Sequence, residues 1–95
     1  MTATRFNDEI HSPVRLRICA MLSPVDSMEF QALRDRLGVA DSVLSKHLSR
    51  LESEGLVGID KAKADGRQRT WARLTPHGRR EYKAHIAALR EIVNL

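Results

Sequence analysis

The segment from Asp41 to Gly55 constrains the fold more than any other part of this chain. Asp41 is a predicted N-cap and Gly55 a predicted C-terminal stop. At 100° per residue, Leu44, Leu48 and Leu51 fall on one narrow arc. The opposite side carries no acid. Its side chains are small or cationic, namely Ser42, Lys46, Ser49 and Ser53, with Ser45 and Arg50 on its flanks. We therefore predict one amphipathic helix with a leucine face in the core and a basic, serine-rich face in solvent.

Charge is concentrated in one part of the chain. The 95 residues fit a single domain spanning 1–95, with the 42% apolar and 29% charged content of a folded protein. Residues 42–80 contain nine Lys and Arg against four Asp and Glu, a net charge of +5, whereas the remainder has a net charge of −1. A contiguous basic surface suits a polyanion, although the charge alone is equally compatible with a solvated surface that has no partner.

The composition argues against several classes of function. No apolar run is long enough to span a membrane, and the N-terminus lacks the apolar region of a signal peptide, so a cytoplasmic protein is expected. Cys19 is the single cysteine, which excludes an internal disulfide and a cysteine-cluster metal site. The histidines have no metal-ligand spacing, and no catalytic serine, phosphate loop or paired-acid motif is present. We expect no enzymatic activity, no cofactor and no metal.

Proline, glycine and capping residues divide the chain into seven elements. In order, we predict a helix from Pro13 to about Ser23, a short strand at Ser27–Phe30, a helix at Gln31–Leu37, the helix from Asp41, strands at Leu56–Ala62 and Gln68–Leu74, and a helix from Pro76 to about Val93. Asp65-Gly66 is a strong hairpin turn signal between the two long strands.

The middle of the chain is predicted to bind DNA. A short helix, a glycine-containing turn and a capped helix form a helix-turn-helix at about residues 30–54. Its second helix would contact the major groove through Ser42, Ser45, Lys46, Ser49 and Arg50. The hairpin at about 56–74 would contact phosphates or the minor groove through Lys61, Lys63, Arg67 and Arg69. A charged edge hairpin that only prevents sheet aggregation is the alternative. His47 and Trp71 are predicted packing residues.

The last helix has two adjacent apolar stripes. Tyr82, Ile86, Leu89 and Val93 are predicted to pack on the domain. The second stripe is predicted to form a symmetric homodimer and comprises Ala84, His85, Ala88, Ile92 and Leu95. Cys19 lies among apolar residues and is predicted to be a core cysteine rather than a redox switch.

Three stretches resemble winged-helix transcriptional regulators of the MarR/ArsR type, above all the short single-domain MarR-like proteins. They are Ser12–Ile18, Leu44–Val57 and Asp65–Arg79, and the resemblance extends from about Phe6 to Val93. It implies an α+β, mostly α fold: a winged helix-turn-helix with a short two- to three-stranded antiparallel sheet and a C-terminal dimerisation helix at about 76–93. The cysteine-rich motif of metal-sensing members is absent, and the chain is shorter than typical MarR proteins, so a small-molecule effector has no support in the sequence.

Together these features predict a sequence-specific regulator that binds double-stranded DNA. The expected form is a homodimeric repressor on a pseudo-palindromic operator. The alternative is a winged-helix module for protein–protein interaction without sequence-specific DNA binding. That alternative predicts a neutral or acidic face on the second helix of the pair, whereas Lys46 and Arg50 make this face basic.

Overall fold

A computed structural model describes residues 5–94. Over this range the chain forms four helices and three strands in the predicted order. The elements are α1 (Pro13–Leu22), β1 (Met28–Glu29), α2 (Phe30–Leu37), α3 (Asp41–Ser53), β2 (Val57–Ala64), β3 (Arg67–Leu74) and α4 (Pro76–Val93). None of these helices is long and apolar enough to cross a membrane.

Local signals in the sequence set most helix ends. The Ser12 hydroxyl accepts a hydrogen bond from the Arg15 backbone N–H, and the Thr75 hydroxyl accepts one from Gly78, so both serve as predicted N-caps before a proline. Gly38 ends α2 with a φ of 68°. The prediction for Asp41 is wrong, because the capping position is one residue earlier and no side chain caps α3.

The sheet is antiparallel with the order β1-β3-β2. The β2–β3 pairing runs without interruption from Val57 opposite Leu74 to Ala64 opposite Arg67. Asp65 and Gly66 join the strands with φ values of 54° and 76°, the two positive angles that a type I′ hairpin turn requires. The predicted hairpin and the predicted two- to three-stranded antiparallel sheet are confirmed, and the sheet has three strands.

The core lies between the first three helices and one face of the sheet. The predicted leucine arc of α3 is confirmed, since Leu44, Leu48 and Leu51 are all buried. They pack with buried side chains from α1, α2, the two long strands and the residues that precede α1 and β2, namely Ile10, Ile18, Cys19, Leu22, Leu33, Leu37, Leu56, Val57, Ala72 and Leu74. Trp71 is half-buried on the other face of the sheet, because strand residues alternate and its neighbour Ala72 faces the core. The arc of α3 therefore fixes which of its side chains point outward.

The structure corrects part of the assignment of the two stripes on α4, whereas Tyr82 packs against the core as predicted. His85 is fully buried and Ala88 nearly so, which places these predicted dimer contacts inside the protomer. Val93, predicted to pack on the domain, is 76% exposed. The helical period alone could not show which stripe meets the domain, because both stripes are apolar and adjacent. Leu95 lies outside the described residues.

The N-terminal segment, residues 5–11, explains the burial of His85. The Asn7 backbone N–H donates to His85 Nδ1 at 3.0 Å, and His11 Nδ1 lies 3.2 Å from His85 Nε2. Arg5 forms an ion pair with Glu81, which also accepts a hydrogen bond from the Asn7 amide. These contacts cover the face of α4 that points toward the domain.

Candidate nucleic-acid interface

The outward face of α3 presents polar side chains to solvent. Ser42, Ser45, Lys46 and Ser49 are exposed, as predicted from the period of the helix. Opposite them, the buried leucines hold α3 against the core and so fix the direction of this face. Hydroxyl and ammonium groups can donate hydrogen bonds to base edges and phosphates, and serine permits close approach of the helix backbone.

Arg50 lies on the flank of this face and has a partner that the sequence analysis missed. Its Nε donates to Glu9 Oε1 at 2.6 Å and its Nη2 donates to Glu9 Oε2 at 3.1 Å. The hydrogen bond from Arg50 holds the pKa of Glu9 below its usual value. The two residues are 41 positions apart, and no motif near Glu9 marks it as a partner.

His47 lies on the same flank of α3 and contacts α1. It is half-buried, and its Nδ1 is 3.1 Å from Nη1 of Arg15 in α1. Burial, together with the positive charges of Arg15 and Lys46, lowers the pKa of His47. These contacts agree with the predicted packing role.

The hairpin, which we call the wing, places its cations on two faces. Lys61 pairs with Thr70 and Lys63 with Gln68, in the same alternation as Ile59 with Ala72. Because cross-strand partners share a face, both lysines belong to the face of the sheet that carries the core. Arg67 belongs to the opposite face at the end of the hairpin. All three cations are exposed.

Arg69 differs from the other predicted DNA contacts of the wing, because it is paired with an acid within the chain. Its Nη1 donates to Glu29 of β1 at 2.7 Å, and 31% of its side chain is exposed. Its Nε is buried and has no hydrogen-bond partner among the described residues. Arg69 therefore fastens the wing to the short edge strand. Arg73 pairs with Asp60 at 3.0 Å on the same face of the sheet.

A groove of about 770 Å³ separates α3 from the wing. It is lined by Phe30, Asp41, Ser45, Leu48, Ser49, Glu52, Ile59, Lys61 and Thr70. Of its two acids, Asp41 is neutralised by Arg34 at 2.9 Å. Within residues 5–94, Lys46, Lys61, Lys63 and Arg67 form no salt bridge. The helix face and the wing thus offer four uncommitted cations, of which Lys61 lines the groove.

Other chemistry has little support among the residues that the structure describes. They include no group of three or more His, Cys, Asp or Glu able to hold a metal ion. Burial raises the pKa of the Cys19 thiol to about 12, so very little reactive thiolate forms at neutral pH.

The helix pair α2–α3, the wing and the basic outward face of α3 together define a winged helix-turn-helix. The chain belongs to the winged helix DNA-binding domain family, whose sequence profile matches residues 14–93.

Proteins from several organisms are similar to this chain in sequence or in structure. An uncharacterised protein of Methanocaldococcus jannaschii is 36% identical over 76 residues, which cover 80% of this chain and 83% of that protein. A transcriptional regulator homologue from Pyrococcus horikoshii has a similar structure, with a TM-score of 0.86 and 31% identity over 90% of this chain and 85% of the other. A MarR-family regulator from Enterococcus faecalis shares the fold, with a TM-score of 0.77 and 24% identity over 90% of this chain and 76% of the other. The chain therefore shares the winged-helix fold of these regulators.

Proposed function

We propose that this protein is a sequence-specific repressor that binds a pseudo-palindromic operator as a homodimer. In this proposal α3 enters the major groove and contacts bases through Ser42, Ser45, Lys46, Ser49 and Arg50. Lys61, Lys63 and Arg67 of the wing contact the neighbouring phosphates or minor groove. Repression would follow from occupation of the promoter.

One observation carries the proposal: the exposed face of α3 is basic and lies beside exposed, unpaired cations of the wing. Phosphate contacts supply a large share of the affinity of DNA-binding proteins, and uncommitted lysines and arginines make such contacts without losing an internal partner. The interaction module considered as the alternative is expected to have a neutral or acidic face, whereas the outward face of α3 carries the unpaired cation Lys46.

The end of α4 supports a homodimer. The helix continues past the buried Ala88, and Ile92 and Val93 are 53% and 76% exposed. The molecule is 52 Å long but only about 25 Å wide, so its shape is elongated. A second copy is a suitable cover for an apolar helix end, because two-fold symmetry pairs identical surfaces. The dimer would present two copies of α3 to half-sites about 34 Å apart.

The experiment is selection of bound sequences from random DNA, followed by titration of the selected site at several salt concentrations. We expect one dominant site with two-fold symmetry and an affinity that falls steeply as salt rises. Arg67→Ala should reduce the salt slope by about one, since one phosphate contact is lost. Lys46→Ala should weaken discrimination between sites.

Lys83→Ala is the matched control, because it removes an exposed cation from α4 rather than from the proposed interface. It should leave the salt slope unchanged. Selection that enriches no sequence, with affinities unaffected by Lys46→Ala and Arg67→Ala, would overturn the proposal.

A further inference from the structure

Glu9 lies at one edge of the outward face of α3, the face that is proposed above to contact DNA. Both of its carboxylate oxygens are engaged by Arg50, one by Nε at 2.6 Å and the other by Nη2 at 3.1 Å. A guanidinium has five N–H groups arranged along two edges that can each form a bidentate pair. Glu9 occupies the Nε–Nη2 edge, so the Nη1–Nη2 edge stays open.

The open edge of Arg50 has the geometry that guanine requires. Two parallel N–H groups of an arginine donate to O6 and N7 of guanine in the major groove, the commonest base-specific contact in DNA recognition. Arg50 lies on α3, the helix proposed to enter that groove, and 57% of its side chain is exposed.

We propose that Glu9 is a positioning residue that orients Arg50 so that its Nη1–Nη2 edge contacts a guanine of the operator. This inference rests on the DNA-binding function proposed above and extends the recognition surface to the N-terminal segment. Glu9 acts through Arg50 and does not itself contact a base.

The segment around Glu9 is rigid enough for this role. The Asn7 side-chain oxygen accepts the Ile10 backbone N–H at 3.0 Å, and Ile10 is fully buried. The Asn7 backbone is held by His85 of α4, and the carbonyl oxygen of Glu9 accepts a hydrogen bond from Arg15 of α1. The backbone that carries this carboxylate is therefore held on both sides of Glu9. Arg50 is ordered before DNA arrives, which reduces the conformational entropy lost on binding.

The ion pair also shifts Arg50 from phosphate binding toward base recognition. A carboxylate beside the guanidinium offsets its charge, so Arg50 attracts the phosphate backbone less than the unpaired Lys46 does. Its directional hydrogen bonds are unaffected by this compensation. Glu9 is thus expected to influence which sequence is bound more than how strongly DNA in general is bound.

The test compares binding preferences at single base pairs of the selected operator. Wild type, Glu9→Gln, Glu9→Ala, Arg50→Ala and the double variant Glu9→Gln/Arg50→Ala are titrated with the operator and with operators in which one guanine is replaced. Asp8→Asn is the matched control, since it removes an exposed neighbouring carboxylate. The ratio of affinities is the readout, because partial unfolding lowers binding to all sites equally and leaves the ratio unchanged.

We expect replacement of one guanine to weaken wild-type binding by roughly fivefold or more. Arg50→Ala should abolish this penalty, both Glu9 variants should reduce it at the same base pair, and the double variant should match Arg50→Ala. Asp8→Asn should keep the wild-type penalty. Wild-type penalties at every guanine in both Glu9 variants would overturn the role of Glu9 while leaving DNA recognition intact. A wild type without any base preference would instead overturn the proposed function.

Discussion

At the scale of single residues, His85 shows how tertiary contacts set chemical state. Its ring is fully buried beneath the N-terminal segment, and Nδ1 accepts the Asn7 N–H. A backbone N–H can only donate, so the ring nitrogen facing it must lack a proton. Burial and the nearby His11 lower the pKa of His85, in agreement with this geometry. The sequence predicted that His85 belongs to the apolar stripe of the dimer contact. It could not show that the N-terminal segment covers this stripe, because the contact joins residues 78 positions apart.

We expect the protein to lose stability as the pH falls below about 6.5, the usual pKa of histidine in an unfolded chain. Below that value the unfolded chain binds a proton that folded His85 resists, so the free energy of unfolding decreases until the lower folded pKa is passed. Thermal melts at pH 7.5 and 5.5 measure this, and a loss of 1 kcal/mol lowers Tm by about 4–8 °C in a domain of this size.

His85→Gln isolates the contribution of this residue, since a glutamine oxygen can accept the Asn7 N–H without titrating. The variant should lose less stability than wild type between the two pH values. It should keep some loss, because the pKa of His47 is lowered as well. Equal pH dependence in wild type and His85→Gln would show that His85 is not responsible.

At the scale of elements, the first turn of α4 packs closely against the residue before β2, and Gly78 lies at this contact. A Cβ on Gly78 would overlap the carbonyl oxygen of Leu56. Close contact is enforced by Thr75, whose hydroxyl donates to the Gly55 carbonyl at 2.6 Å and whose N–H donates to Leu56 at 3.1 Å. The helix therefore begins directly against the strand.

Gly78→Ala should destabilise the protein by about 1–3 kcal/mol or more, although alanine favours helices, because a backbone atom cannot move aside as a side chain can. Chemical denaturation provides the measurement. His77→Ala is the control, since it places the same methyl group at an exposed position of the same turn. A stability of Gly78→Ala equal to that of His77→Ala would contradict the close contact.

The elements themselves could be predicted wherever a local signal defines them. Ser12-Pro13, Thr75-Pro76 and Asp65-Gly66 act through hydrogen bonds and φ angles within a few residues, and the structure has a helix start or turn at each. The outward face of α3 followed from its period for the same reason. Ion pairs such as Arg50–Glu9 and Arg69–Glu29 could not be predicted, since they join residues about 40 positions apart that only the folded chain brings together.

At the scale of the whole molecule, the N-terminal segment and the end of α4 connect DNA recognition with assembly. The segment contacts α3 through Glu9 and α4 through Asn7, so one short stretch touches both the proposed recognition helix and the proposed dimer helix. Beyond the half-buried Leu89, the apolar side chains of α4 that residues 5–94 include are Ile92 and Val93, and both are exposed. A second copy of the chain would therefore bury the most apolar surface at this end of α4.

The last prediction follows from this exposed end. Ile92→Glu should convert a dimer into a monomer, because an apolar contact that pairs with its own copy would acquire two like charges. Operator affinity should then fall by at least about a hundredfold, since the second half-site no longer binds as part of one molecule, while the affinity for an isolated half-site is retained. Sedimentation at micromolar concentration and titration of full and half operators measure both effects.

Lys83→Glu, which places the same side chain on the exposed polar side of α4, should remain dimeric. A wild type that sediments as a monomer, or an Ile92→Glu variant that stays dimeric with undiminished operator affinity, would rule out the end of α4 as the dimer contact.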